Sequence, residues 1–327
     1  MTYMRSAVLG IDIGGTKTLC ALVDDKQKLV HKLVFDTDTT QGAKEFRREL
    51  TKAAKSLEAR ARKSRLTLIG AGAAVAGQVD TETCTVVNAP NVVFLQNFKL
   101  GRVLKQALHV ETVIGNDVQL ALYAEYRLGA AAGLKNVLGI FFGTGVGSAA
   151  LIEGRIYRGA NGFGGQVGSV LMTSMGTVDS PESHATLDGV AGKAAITGAA
   201  VAMGIKQWAP HLYKEAGTDI SKVTWSSIAR ALRQGDKRIE ELMRARMRSA
   251  GLAISSVINF LDPEMLLLGG GLTEAMPKLV VSEVEKGLRE LLRPEIAKVL
   301  KVRAAKLRNN AAAMGAAQLA LETLGSR

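Results

Sequence analysis

Two stretches of this chain, 129 residues apart, repeat one pattern. Residues 8–26, VLGIDIGGTKTLCALVDDK, align with 137–155, VLGIFFGTGVGSAALIEGR, through identities at Val8/Val137, Leu9/Leu138, Gly10/Gly139, Ile11/Ile140, Gly14/Gly143, Ala21/Ala150 and Leu22/Leu151. Each copy reads as an apolar strand, a glycine-rich turn and a second apolar strand. The matching turn at a constant offset argues for a duplicated lobe, and two such lobes facing each other create a cleft. The 327 residues suit this, being more than one ordinary domain and less than three.

Periodicity supplies a coarse outline. Residues 6–13, 18–24 and 28–35 read as three short strands, punctuated by Gly14-Gly15 and by the polar turn Asp24 to Gln27. A helix follows over the basic run 44–65, then a strand near 67–76, a loop through Asn88, Pro90 and Asn91, a strand at 110–115 and a helix at 117–132. Strands and helices then alternate, which makes the class α/β.

Composition excludes several other classes. Hydrophobic residues are 47% and charged residues 22%, with 6 Pro and no low-complexity run, so the chain is neither disordered nor collagenous. Cys20 and Cys84 are too few for a disulfide framework and fit a reducing, cytoplasmic setting. No long apolar run suggests secretion or a membrane span. The net charge of +12 invites a nucleic-acid partner, but the densest basic run has apolar Phe46, Leu50, Ala53, Ala54 and Leu57 at helical spacing. It reads as an amphipathic helix with a solvated basic face. With 5% aromatic residues and no DNA-binding pattern, neither nucleic acid nor membrane is the expected partner.

Three glycine turns suggest anion binding. Asp12-Ile-Gly14-Gly15-Thr16-Lys17 can bring several backbone N–H groups to one anion, because glycine has no Cβ to obstruct approach, and Thr16 and Lys17 add a hydroxyl and a charge. Gly143-Thr144-Gly145-Val-Gly147 has similar chemistry, and Gly269-Gly270-Gly271 follows an apolar strand and opens a helix. One such turn is equally a common hairpin; three in a chain point to phosphate. Neither the P-loop pattern nor a dinucleotide fingerprint occurs in its required context, which leaves a two-lobed phosphotransferase.

Residues 9–18 (LGIDIGGTKT), 115–129 (GNDVQLALYAEYRLG), 143–163 (GTGVGSAALIEGRIYRGANGF) and 262–271 (DPEMLLLGGG) together resemble the ROK family of sugar kinases and sugar-responsive repressors. The resemblance implies a two-lobed ribonuclease-H-like fold of the actin/hexokinase type, with ATP and a hexose meeting in the cleft. The expected division is 1–116 with 306–327 in one lobe and 117–305 in the other. Asp117 matches the family's catalytic Asp, which accepts the proton of the sugar hydroxyl; an isolated Asn-Asp pair would instead be read as a helix cap. By the same resemblance Asn116, Asn91 and Gly77 line the sugar pocket. Asp12 orients Mg²⁺ through water, with Gly14, Gly15, Thr16, Lys17, Gly143, Thr144, Gly145, Gly270 and Gly271 around the nucleotide. A homodimer is implied as well.

The departures from the family concern the sugar. Its Glu-x-Gly-His is replaced by Gln166-Val-Gly-Ser169, and Asp188 stands where a second sugar-binding Glu is usual. The cysteine-rich zinc loop is missing from 170–189, and His184 alone cannot hold zinc, so no zinc is expected. The leading expectation is an ATP- and Mg²⁺-dependent kinase acting on the primary hydroxyl of glucose or a close analogue. A catalytically silent sugar-binding or regulatory relative, and a kinase using polyphosphate as donor, are the alternatives.

Overall fold

The computed structural model describes residues 5–37, 40–173 and 185–325, which fall into two compact units. The first holds the chain up to residue 132, the segment 158–163 and everything from 309 onward; the second holds 133–157 and 164–308.

Unit 1 is built on β1 (Arg5–Ile13), β2 (Lys17–Asp24), β3 (Leu29–Asp36), α1 (Gly42–Lys63), β4 (Leu66–Val75), the short pair β5 (Gln78–Asp80) and β6 (Thr85–Asn88), α2 (Leu100–Leu108), β7 (Thr112–Asn116) and α3 (Asp117–Leu128). Its main sheet has the order β3-β2-β1-β4-β7, antiparallel across the first two pairs and parallel across the last two. β1 is apolar at nearly every position because both faces of the sheet are covered. Leu9 and Ile11 join Phe46, Leu50, Ala54 and Leu57 of α1 in one core. The basic face of α1 stays in solvent, where Arg48 and Arg62 pair with Glu45 and Glu58 at helical spacing.

Gly10, between Leu9 and Ile11, points to the opposite face. There the late helix α12 (Ala311–Leu324) lies so close that a Cβ on Gly10 would sit 2.0 Å from the Ala313 carbonyl oxygen, and one on Gly72 1.9 Å from that of Ala316. Only glycine allows this contact. α12 also packs on α3. The boundary expected between Asn116 and Asp117 is therefore corrected: α3 belongs with α12 in unit 1, and the chain passes to unit 2 after Ala132.

Unit 2 begins with β8 (Val137–Phe142), β9 (Val146–Ile152), β10 (Arg155–Ile156), β11 (Leu171–Thr173) and β12 (Ala185–Thr186). Helices α4 (Leu187–Ala191), α5 (Lys193–Ile205), α6 (Pro210–Ala216), α7 (Trp225–Gln234) and α8 (Lys237–Leu261) follow. Then come β13 (Met265–Gly269), α9 (Gly270–Ala275), α10 (Pro277–Leu291), α11 (Pro294–Val299) and β14 (Lys301–Ala304). The sheet order is β10-β9-β8-β13-β14, again antiparallel twice and then parallel twice. Leu138, Ile140, Leu266 and Leu268 pack with Met243, Met247 and Ile254 of α8 and Val280 and Val284 of α10.

The duplicated lobe is thus visible as a repeated sheet, with one amendment to the alignment. Ile13 pairs with Thr18, whereas its counterpart Phe142 pairs with Val146, so the first turn is one residue longer. The constant offset of 129 holds for β1 and β8 only; β2 and β9 correspond one residue out of step. Among the described residues no helix is long and apolar enough to cross a membrane.

Candidate active site

In unit 1 the three parallel strands end level with one another: Ile13 pairs with Val75, and Val75 with Asn116. Whatever follows these residues is delivered to one edge of the sheet, the carboxyl edge where open α/β sheets bind ligands. The turn Gly14 to Lys17 leaves β1 there, closed by the Gly14 N–H donating to the Lys17 carbonyl at 3.1 Å and held from the side by the Thr37 N–H on the Thr16 carbonyl at 2.8 Å. Thr16 and Lys17 are exposed. Asn91 lies against the turn: a Cβ on Gly15 would stand 3.1 Å from the Asn91 Cβ. Gly77, just past β4, is pressed on the Asn88 carbonyl, which a Cβ would approach to 2.2 Å.

Asn116 and Asp117 divide their work differently from the sequence expectation. The Asn116 Oδ1 accepts the N–H groups of Val118 and Gln119 at 3.0 and 3.1 Å, while its Nδ2 donates to the Gly77 carbonyl at 3.1 Å. Asn116 is therefore the N-cap of α3 and a tie to the Gly77 loop, and its side chain also bonds to the Asp117 carboxyl. The cap that an isolated Asn-Asp pair suggested for Asp117 is supplied by its neighbour.

Asp117 and Asp12 are partly accessible side chains at this edge. Burial pushes the Asp117 carboxyl up to about 6, against the lowering pull of the Val118 amide, its own amide and the Asn116 side chain. Asp12 is pushed up to about 7, first by burial and then by the Asp117 charge. The Asp12 shift places the two carboxylates close enough to repel each other. Two such groups suit a divalent cation that takes its other ligands from water and phosphate; no group of three metal-ligating side chains occurs among the described residues.

In unit 2 the second and third glycine turns adjoin. Gly269 pairs with Phe141, and Gly270, at φ +84°, lies on the Phe142 backbone, where a Cβ would come 2.4 Å from the carbonyl oxygen. Gly271 opens toward Trp225, whose Cδ1 lies 3.0 Å from where a Cβ would be. Thr144 is exposed. The Gly143 N–H donates to the Gly145 carbonyl at 2.8 Å, the Lys193 N–H to the Thr144 carbonyl at 2.9 Å, and the Val146 N–H to Asp188 Oδ1 at 2.6 Å. Asp188, expected to reach for sugar, is thus bonded to the turn.

Gln166 is exposed and heads the short helical turn Val167–Ser169; Ser169 is exposed too. Ser148 fixes that segment, its Oγ donating to the Gly165 carbonyl at 2.5 Å and accepting the Val167 N–H at 2.7 Å. Of the segment on which the zinc expectation rests, residues 174–184, including His184, lie outside the described residues. Ser148 stood in the second glycine motif without a role of its own, and no sequence motif pointed to Lys193 or Trp225; the rarity of tryptophan, 2 in the chain, was the one available signal for Trp225.

With this geometry in place, the comparisons are decisive for the family. The sequence matches the ROK family over residues 8–323. The chain belongs to the ROK family.

Its relatives within the ROK family include the glucokinase of Streptomyces coelicolor, 28% identical over 326 residues and matched across 96% of this chain and 97% of that one. Among solved structures, a ROK glucokinase from Streptomyces griseus in complex with glucose and AMPPNP superposes with a TM-score of 0.83 at 26% identity, over 97% of this chain and 100% of that one. A ROK hexokinase from Thermus thermophilus gives 0.75 at 25% identity, over 98% and 100%. The repeated five-stranded sheets are accordingly the actin/hexokinase-type α/β fold.

Proposed function

We propose that this ROK chain is a sugar kinase, transferring the terminal phosphoryl group of ATP to the primary hydroxyl of a hexose, glucose or a close analogue. The observation that carries the reading is the pair of carboxylates at the carboxyl edge of the unit 1 sheet, with Asp117 relieved of helix capping by Asn116. A base for this reaction must be ionised near neutral pH yet basic enough to draw a proton, and a carboxyl raised to about 6 meets both demands.

The hydroxyl oxygen of the sugar forms a bond to the terminal phosphorus while the bond to the bridging oxygen of ADP breaks. Asp117 takes the hydroxyl proton. Asn91, Gly77 and Asn116 orient the sugar, and Gln166 offers an acceptor and a donor where the family has a carboxylate. The glycine turns at Gly14–Lys17, Gly143–Gly145 and Gly270–Gly271 supply N–H groups for phosphate oxygens. Asp12 would hold Mg²⁺ through water, and that ion neutralises phosphate charge.

The test is a coupled assay of purified protein with ATP or polyphosphate as donor across a small hexose panel. Hexose-dependent ADP formation, strongly reduced in Asp117→Asn, is the expected result. Turnover with polyphosphate alone would move the donor away from ATP, and sugar binding without turnover on either donor would make the chain a silent binder.

A further inference from the structure

The element that holds the second glycine turn is distinctive. Gly143-Thr-Gly-Val-Gly147 contains three glycines and so loses more conformational freedom on ordering than an ordinary turn of its length. Its counterpart in unit 1 is steadied by Thr37, through its N–H on the Thr16 carbonyl at 2.8 Å and its hydroxyl against that of Thr18 at 2.7 Å. Here the stays come from the first turns of α4 and α5, and they grip both sides of Gly145: the Lys193 N–H on the Thr144 carbonyl at 2.9 Å, and Asp188 Oδ1 on the Val146 N–H at 2.6 Å.

The surrounding residues are shaped for that bond. A Cβ on Gly145 would stand 2.5 Å from Asp188 Oδ1, and one on Gly192 would stand 2.5 Å from the Asp188 carbonyl oxygen and 3.1 Å from Oδ1. Val146 is buried, so its N–H has no easy substitute partner. A charged acceptor at 2.6 Å makes a strong bond to an amide. The side chain is one methylene shorter than a glutamate, a length spent on the turn beside it.

We infer that Asp188 is a positioning residue for the donor side: its carboxylate fixes the Gly143–Gly147 turn in the form that receives phosphate and does not serve as a ligand of the sugar. The inference rests on the kinase reading for its kinetic consequence, since a turn held in advance is bound without the cost of ordering it. Its structural content, a bond to the Val146 amide, stands without that reading.

The experiment joins kinetics to amide exchange. In Asp188→Ala, kcat/KM for ATP should fall at least about tenfold while the KM for hexose stays within about twofold, and the Val146 amide should exchange at least about tenfold faster. Asp188→Asn, which keeps an acceptor oxygen, should recover most of both losses. Gly192→Ala pushes on Asp188 from outside the turn, at 2.5 Å from its carbonyl oxygen and 3.1 Å from Oδ1, and should reproduce the ATP defect, which covers the case in which Asp188→Ala fails to fold. A rise in hexose KM with ATP kinetics and Val146 protection unchanged would overturn the inference. Should the wild type phosphorylate no hexose, the kinase reading fails, and the exchange rate of Val146 together with the Kd for AMPPNP still decides the role of Asp188.

Discussion

The two units repeat one sheet pattern and differ in what stands at the end of its first strand. β1 closes with Asp12-Ile13, β8 with Phe141-Phe142, at corresponding places in the two ladders. In unit 1 a carboxylate meets a second carboxylate from α3, and both are pushed upward by burial. In unit 2 the strand end is aromatic, and the nearby carboxylate, Asp188, is bonded to an amide. Duplication has kept the frame, meaning strand order and glycine turns, while the upward-shifted carboxylate pair stands in unit 1. Strand order is set by packing over the whole sheet, whereas a site needs only a few side chains at one edge and is free to diverge.

The sharpest way to separate chemistry from frame is Asp117→Asn. It should lower turnover by about 10²- to 10⁴-fold, the usual contribution of a positioned base, while leaving the fold and sugar binding in place. Steady-state kinetics with calorimetric sugar binding checks it, and wild-type turnover would remove Asp117 from its role. The acid side of the kcat/KM profile should fall as pH drops through about 6, where that carboxyl takes up its proton.

Breaking the frame while keeping the chemistry calls for Gly72→Ala. The added Cβ would meet the Ala316 carbonyl oxygen at 1.9 Å, a backbone atom that cannot swing away, so β4 and α12 must separate. Overpacking of this kind costs about 1–3 kcal/mol or somewhat more. Thermal unfolding should show a clear loss in Tm; an unchanged Tm would mean that α12 is not closely applied to the sheet.

A smaller effect belongs to unit 2. Gln166→Glu with Ser169→His should raise kcat/KM for glucose if the wild type handles glucose poorly, since a polar group left unpaired once substrate covers it costs about 1–3 kcal/mol. Hexose preference should move and the KM for ATP should not. A wild type already efficient on glucose and unimproved by the change would make Gln166 and Ser169 tolerated alternatives.

The smallest effect tests the charge at Asp12. Asp12 has a folded value of about 7 against a reference of 3.8, so it holds its proton more tightly folded than unfolded. Its stability cost is absent below the reference value, grows as pH rises through this window and levels off above about 7. Asp12→Asn should therefore raise Tm by a few degrees at pH 8 and hardly at all at pH 4. A gain of equal size at both pH values would assign it to something other than charge.

How much of this was legible in the sequence follows from which forces leave local marks. β1 to β3 and the basic helix were readable because alternation and helical spacing are imposed by one adjacent core. The pairing of Asp12 with Asp117 was reachable only through family resemblance, since they lie far apart in sequence and meet through strand register. α12 carries no amphipathic stripe, because Ala311 to Gln318 are buried all round, and nothing local told that it closes unit 1. The bond that Asp188 accepts was hidden for a related reason: its place in a motif spoke only of sugar, while the amide it holds lies 42 residues earlier. The cap on α3 fell to Asn116 because the side-chain oxygen must come from the residue before the first helical turn.

The dependence of unit 1 on α12 sets an order of events during synthesis. A ribosome that has released the strands of unit 1 has yet to make the helix that covers Gly10 and Gly72, and all of unit 2 is translated in between. Unit 2, though later in the chain, has its sheet and helices complete before unit 1 does. The nascent chain therefore carries an apolar sheet face with no partner through some two hundred codons, a natural station for chaperones.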